Sequence, residues 1–158
     1  MQGKPERAME VFNMMNPVRR ATTRADVQRY KVEPYVVAAD IYAHPSHLGR
    51  GGWTWYTGAS GWLYRAILES VLGIKREGAS FRLQPCVPSS WPRYSVRWKA
   101  GSSVYEIEVE NPDRKCRGVA WAELDGARVD PASIPLVDDG RVHRVRAVVG
   151  EPALVART

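Results

Sequence analysis

The sequence predicts a mixed fold in two parts, a helical segment over about residues 1–74 and an antiparallel β-sandwich over about 75–158. Three observations carry this. Trp62, Leu63, Ala66, Ile67, Ser70, Val71 and Leu72 recur at helical spacing ahead of Gly73. From Ile74 onward the period changes to two, in six or so short segments about ten residues apart. The breaks between those segments carry turn chemistry: Asn111-Pro112-Asp113, Asp125-Gly126 and Asp138-Asp139-Gly140.

Taken in order, Ala8–Met15 has helix formers and apolar residues at helical spacing, closed by Asn16-Pro17. A helix with so little chain before it cannot bury its apolar face alone, so further helical material is expected to cover it. Residues 17–29 read as a basic, polar loop with one short turn of helix, for which Thr22-Thr23 offers a cap. Pro34 fits a helix start, and Val36–Tyr42 is apolar almost all round. That run predicts a buried helix, with a buried strand as the competing reading. A second helix is expected from about Gly58 to Leu72, stopped by Gly73. The expected strands contain Phe81–Gln84, Tyr94–Trp98, Val104–Val109, Gly118–Leu124, Ala127–Val129 and Val142–Val148. Leu124-Asp125-Gly126-Ala127 is a two-residue hairpin signal. His143 lies within one of these strands and reads as an outward residue, while Trp98 and Trp121 read as core positions.

Composition narrows the function classes. A hydrophobic fraction of 44% supplies a core, which excludes wholesale disorder. The net charge of +6 is spread along the chain, whereas a nucleic-acid binder would gather it in a stripe or tail. It reads instead as a solvated basic surface with a general attraction to anions. Cys86 and Cys116 have neither CxxC nor zinc-finger spacing and read as free thiols in a reducing compartment. His44 and His47 stand three apart with no third ligand nearby, so no metal is expected. No apolar run approaches transmembrane length and no signal-peptide pattern opens the chain, so a soluble, cytoplasmic chain is expected, its parent anchored, if at all, in an inner membrane. No cofactor is implied.

The chemically informative stretch is His47–Trp62, with five glycines and four large aromatics in sixteen residues. Glycines let the backbone bend and approach a ligand, and Trp53, Trp55 and Tyr56 offer flat apolar faces. Six Trp and seven Tyr against two Phe extend that bias to the whole chain. Thr57 stands where a helix begins, its hydroxyl suited to an N-cap, and small residues around a helix N-terminus favour an anion. The stretch reads as one wall of a sugar-phosphate site. Glu33, at the start of the preceding segment, is placed to accept from sugar hydroxyls, or simply to trim a helix N-terminus.

Three motifs in order, Tyr30–Asp40, Gly49–Gly58 and Pro85–Pro92, resemble the C-terminal region of glycoside hydrolase family 94, the former glycosyltransferase family 36. The likeness runs over nearly the whole chain and is strongest to the phosphorylase-like C-terminal region of cyclic β-1,2-glucan synthases. It implies the closing helices of an (α/α)6 barrel catalytic domain over 1–74, followed by an antiparallel β-sandwich domain over 75–158. It also implies an inverting phosphorolysis of β-glucosides, in which one carboxylic acid protonates the leaving oxygen and phosphate attacks from the opposite face. Thr57 and Gly58 match the family's phosphate-contacting Thr-Gly pair. Glu33 and Tyr35 match its Glu-Pro-Tyr segment beside the sugar subsites, and Trp53, Trp55 and Tyr56 stand next to the Thr-Gly pair. Ala39 replaces a glutamine that contacts substrate in the cellobiose-type enzymes, which argues against cellobiose and for another linkage. The general acid and the phosphate-contacting histidine of the family are expected upstream of Met1, and neither Asp26 nor Asp40 takes the acid's place.

The expected partners are therefore a β-glucan, β-1,2-linked, inorganic phosphate or glucose 1-phosphate, and the remainder of a parent enzyme. The chain alone is expected to be inactive. A second reading, from a different class, is a non-catalytic glycan-binding or interaction module built on the sandwich.

Overall fold

The computed structural model describes residues 4–151, with the side chain of Thr57 outside the described set. The chain divides into two compact units, Arg7–Ala66 and a second formed by Ile67 onward together with the residues up to Glu6.

In the first unit, α1 (Pro5–Met15) ends where the sequence suggests, with Asn16 N donating to Phe12 O (2.8 Å). Helix α2 (Arg24–Tyr30) is longer than the single turn expected, because Thr23 closes a full capping box with Asp26. The Thr23 hydroxyl accepts from Asp26 N (3.1 Å), and the Asp26 carboxylate accepts from Thr23 N (3.1 Å). Helix α3 (Thr57–Arg65) runs on into a π-helical turn, Ala66–Val71, whose wider ring is closed by Leu72 N on Ile67 O (2.9 Å).

The expected helix over Val36–Tyr42 does not form; the segment is irregular, bends at Val36 and Ala39, and makes one antiparallel bridge from Ile41 to Gly51. Glu33-Pro34-Tyr35-Val36 makes a turn, with Val36 N on Glu33 O (3.1 Å). The backbone beyond it then pairs with the glycine-rich loop: Ala39 N on Trp53 O (2.8 Å), Gly52 N on Asp40 O (3.0 Å) and Tyr42 N on Arg50 O (2.9 Å). Apolar composition alone does not choose between helix and extended chain. Here the 49–53 segment, which lacks a Cβ at Gly51 and Gly52, satisfies the backbone and decides the choice.

In the second unit, strands β1 (Ile74–Glu77), β2 (Ser80–Leu83) and β7 (Ile134–Pro135) form one sheet in the order β1-β2-β7. The other contains β3 (Arg93–Ala100), β4 (Ser103–Glu110), β5 (Val119–Leu124), β6 (Ala127–Val129) and β8 (Val142–Val149), in the order β3-β4-β8-β5-β6. Ile74, Phe81, Leu83 and Ile134 of the first sheet share one buried core with Tyr105, Ile107, Val109, Ala122, Val145, Ala147 and Val149 of the second. This is a sandwich, but not a purely antiparallel one, since β8 runs parallel to β4. The register explains the exception. It sets Tyr105 against His143, Ile107 against Val145 and Val109 against Ala147 on the inner face, and Glu106 against Arg144 and Glu108 against Arg146 on the outer face. The Asp125-Gly126 hairpin forms as expected, with both residues at positive φ (50° and 85°) and Leu124 opposite Ala127. At Gly73 glycine is needed twice over, for its left-handed φ of 79° and because a Cβ there would stand 2.1 Å from the carbonyl carbon of Gln84.

His143 corrects an expectation. It shares the inward phase of Val145, Ala147 and Val149 and is 6% exposed. Its Nδ1 meets Asp125 Oδ2 at 2.8 Å, its Nε2 meets Asp139 Oδ1 at 3.1 Å, and its ring stacks on Tyr105. A ring with carboxylates on both nitrogens is held as the imidazolium: the Asp125 hydrogen bond raises its pKa above 6.5, against the opposing effect of burial. Burial pushes the Asp125 carboxyl up, but His143 and the Arg144 amide bring it below its usual value on balance. The Arg141 amide, with Arg141 and His143 side chains, holds Asp139 well below the ordinary carboxylate range. The clasp ties the β5–β6 turn to the loop before β8.

The pH dependence follows from these directions. The histidine's contribution is complete below its unfolded pKa near 6.5 and is lost as pH rises through its elevated folded value. The aspartates' contribution is present above about 3.8 and is lost as pH falls. Thermal unfolding of the second unit is therefore expected to peak in midpoint between those limits. His143→Gln should lower the unfolding free energy by on the order of 1–3 kcal/mol at pH 5.5, and the midpoint with it, and flatten the alkaline decline; an alkaline decline unchanged in the variant would show that another group causes it.

Candidate functional site

All the candidate residues except Thr57's side chain can be placed, and all lie in the unit Arg7–Ala66. Their frame is the pairing of residues 39–42 with 49–53. Gly51 N donates to Tyr30 O (2.9 Å), and a Cβ on Gly51 would fall 2.2 Å from Val32 Cγ2 and 2.9 Å from Tyr30 Cε2. A Cβ on Gly52 would meet Asp40 Oδ1 at 1.9 Å. Two consecutive positions thus admit glycine because the backbone lies directly against the segment that carries Glu33 and Tyr35.

Asp40 secures the loop's far side. Its carboxylate accepts from Trp53 N (3.2 Å), while its carbonyl accepts from Gly52 N. This carboxylate has a structural task. Beyond Trp53 the chain passes through Trp55, which sits at φ 63°, a left-handed conformation that costs a non-glycine residue energy and recurs at functional loops. In that conformation the Trp55 indole N–H donates to Glu33 Oε1 (3.2 Å), and the ring meets Tyr35 edge-on, with centroids 6.3 Å apart. Three of the five sugar-site candidates, Glu33, Tyr35 and Trp55, are thus one cluster. Trp53 and Tyr56 flank it without a ring contact to it among the described residues.

The cluster is open. Trp53, Trp55 and Tyr35 are 69%, 67% and 71% exposed, and Trp62 and Tyr64 on α3 are also exposed, with the Arg65 guanidinium 5.7 Å over the Trp62 ring.

Helix α3 begins one residue earlier than a Thr57 N-cap would require. Tyr56 is the extended N-cap residue and closes no side-chain hydrogen bond, so Thr57 is the first helical residue. Ala59 N turns back to Tyr56 O (3.1 Å), and nothing lies within 4 Å of where a Gly58 Cβ would be. The Tyr56 side chain gives this first turn no cap bond, and a helix N-terminus favours an anion.

Nearby His44 has a local role, its Nδ1 accepting from Ser46 N (3.3 Å) at the start of a 3₁₀ turn. On the sandwich, Trp98 packs against Phe81 and Tyr105. Trp121 departs from its expected core position: it is half-buried with the Arg128 guanidinium 4.2 Å over its ring. Among the described residues no helix is long and apolar enough to cross a membrane, and both cysteines are free.

Residues 1–73, which hold the whole of this site, match the family model of the glycosyl hydrolase 94 superfamily catalytic domain. The chain belongs to glycosyl hydrolase family 94. It is 46% identical over 113 residues to the cyclic beta-(1,2)-glucan synthase of Rhizobium meliloti (strain 1021), a match covering 72% of this chain and 4% of that protein. It is 33% identical over 150 residues to the N,N'-diacetylchitobiose phosphorylase of Vibrio proteolyticus, covering 94% of this chain and 18% of that one. The solabiose phosphorylase of Paenibacillus borealis is 29% identical over 115 residues, covering 72% and 15%. The chain thus spans less than a fifth of the length of these family 94 relatives.

The two glycines at the centre of the family 94 segment are expected to differ in tolerance. Gly51→Ala drives a methyl into Val32 and the buried Tyr30 ring and should destabilise the chain by about 1–3 kcal/mol. Gly52→Ala can be accommodated by swinging the exposed Asp40 carboxylate away, so it should cost less. Urea unfolding followed by tryptophan fluorescence ranks the two, and equal costs would contradict the close approach to Tyr30.

Proposed function

We propose that this chain is the C-terminal portion of an inverting β-glucan phosphorylase or cyclic β-1,2-glucan synthase-type enzyme. In this reading residues 1–74 are the closing helices of an (α/α)6 barrel catalytic domain and 75–158 its C-terminal β-sandwich domain. The observation that carries it is the cluster of Glu33, Tyr35 and Trp55 close in sequence to an uncapped helix start. Thr57 and Gly58 hold the phosphate through that start, with the dipole and free amides of α3 favouring the anion. Glu33 accepts from sugar hydroxyls, and Tyr35, Trp53, Trp55 and Tyr56 supply apolar faces against which pyranose rings pack.

In the complete enzyme a carboxylic acid contributed by the remainder of the protein protonates the glycosidic oxygen as its bond to the anomeric carbon breaks. Phosphate forms the new bond from the opposite face, giving glucose 1-phosphate with inverted configuration. The likeness to the cyclic beta-(1,2)-glucan synthase supports a β-linked substrate and favours the β-1,2 linkage. A purely glycan-binding sandwich is less well supported, because Trp98 is occupied by the core and Trp121 by Arg128.

Two outcomes are expected. The 158-residue chain alone releases no phosphate from α-glucose 1-phosphate with a β-1,2-glucan acceptor, because general-acid catalysis is missing; turnover above a protein-free control would overturn this. In the parent enzyme Thr57→Ala raises the KM for phosphate about tenfold, the effect of losing one hydrogen bond to a charged group. Initial rates over a phosphate series check it, and an unaltered phosphate dependence would remove Thr57 from the site.

A further inference from the structure

We propose that Trp55 is a positioning residue for Glu33, its indole N–H fixing the carboxylate so that one oxygen is left to accept from a sugar hydroxyl. This goes beyond the ring face assigned to Trp55 and rests on the reading of Glu33 as the hydroxyl acceptor.

One turn holds the indole at two points. Val36 N donates to Glu33 O (3.1 Å), and Val36 is buried, which anchors the turn Glu33–Val36. From that turn Glu33 Oε1 accepts from the Trp55 Nε1–H (3.2 Å), and the Tyr35 ring meets the indole edge-on, at 72°. Edge-to-face contact is a favoured aromatic geometry, and here it sets the direction in which the N–H points. Among the described residues the indole is the one side-chain donor on Glu33.

The backbone is bent to deliver that donor. Trp55 has φ 63°, a conformation that costs an L-residue energy and persists where the surroundings fix it. The chain is tied down on both sides. Before it, Trp53 N donates to Asp40 Oδ1 (3.2 Å) and Trp53 O accepts from Ala39 N (2.8 Å); after it, Tyr56 O accepts from Ala59 N (3.1 Å). A platform that only offers a ring face needs no such bend. Trp53, as exposed as Trp55, keeps an ordinary backbone and makes no side-chain hydrogen bond among the described residues.

The nature of the donor suits the role. A carboxylate accepts through two oxygens, whereas indole offers a single neutral N–H and no acceptor. A guanidinium in its place would engage both oxygens and offset the charge. The indole instead holds Oε1 and leaves Oε2, with the negative charge intact, for a hydroxyl. Glu33 is only half-buried, so a ligand can approach it. Fixing the carboxylate before the sugar arrives reduces the side-chain entropy lost on binding.

The test compares variants of the complete enzyme in phosphorolysis of a β-1,2-glucan, with glucan and phosphate each varied. Trp55→Phe keeps a ring beside Tyr35 and removes the N–H. It should lower kcat/KM for the glucan about tenfold, with Glu33→Ala lowering it at least as much, and leave the KM for phosphate unchanged. Added to Glu33→Ala, Trp55→Phe should cost less than about twofold more, because its effect passes through the carboxylate. In the ¹⁵N-labelled 158-residue chain, Glu33→Ala should move the Trp55 indole N–H resonance. If Trp55→Phe matches the wild type while Glu33→Ala is impaired, the positioning role is overturned and the reading of Glu33 stands. If Glu33→Ala is unimpaired, both fall. A raised KM for phosphate in Trp55→Phe would also overturn the role, since the variant would then have disturbed the chain leading to Thr57. Additive losses, or an unmoved indole resonance, would overturn it as well, because Trp55 would then act independently of Glu33.

Discussion

The close approach of Gly51 and Gly52 to the segment Tyr30–Asp40 is the constraint on which the candidate site depends. Without Cβ atoms at these positions, the 49–53 strand can lie against Val32, Tyr30 and the Asp40 carboxylate. That contact permits the backbone pairing that keeps residues 39–42 extended and fixes where the following aromatics begin. Trp55 then reaches back over twenty-two residues to Glu33, and the chain enters α3 with no cap bond from the Tyr56 side chain. Each step is a consequence of the one before it. The energy in any single hydrogen bond of this kind is small, about 1 kcal/mol net, so the geometry is held by the steric fit as much as by the bonds.

The second unit solves a different problem. Its core is built by period-two alternation, and the side chains facing inward from β4 and β8 are apolar except at one end, where Tyr105 meets His143. A histidine in that position would be costly if charged and unpaired. Asp125 and Asp139 resolve the cost from two separate turns, which also fixes those turns relative to the sheet. On the outer face the same register lays the acids of β4 between the arginines of β3 and β8. Those ion pairs, Arg97–Glu106 at 3.8 Å and Arg144–Glu106 at 3.9 Å among them, are solvent-exposed. They contribute more to selecting the register, and to discouraging association at the β3 edge, than to net stability.

Family 94 membership connects the two halves of the reading. The matched residues, 1–73, contain the glycine-rich loop, the Glu33 cluster and the start of α3, so the part of the chain that carries the family signal is also the part with an open aromatic surface.

Much of this was legible in the residues themselves. The Asp125-Gly126 hairpin, the outer bounds of the helix after Gly58, the Thr23 cap and most of the strands follow from local rules, because turn residues, caps and hydrophobic periods act over a few positions and need no distant partner. The strands β1 and β7 were not legible: one carries a single buried apolar residue, the other is two residues long, and both exist only because β2 lies between them. Nor could the sequence decide the non-helical course of Val36–Tyr42, the inward turn of His143 or the parallel run of β8 beside β4. Each depends on a partner far along the chain: Gly49–Trp53 for the first, Asp125 and Tyr105 for the second, and the whole of β4 for the third. By itself the sequence determined which residue types could meet a sugar and a phosphate. Only the tertiary structure brought Glu33, Tyr35 and Trp55 together, because that meeting is decided by where two glycines let separate stretches of backbone touch.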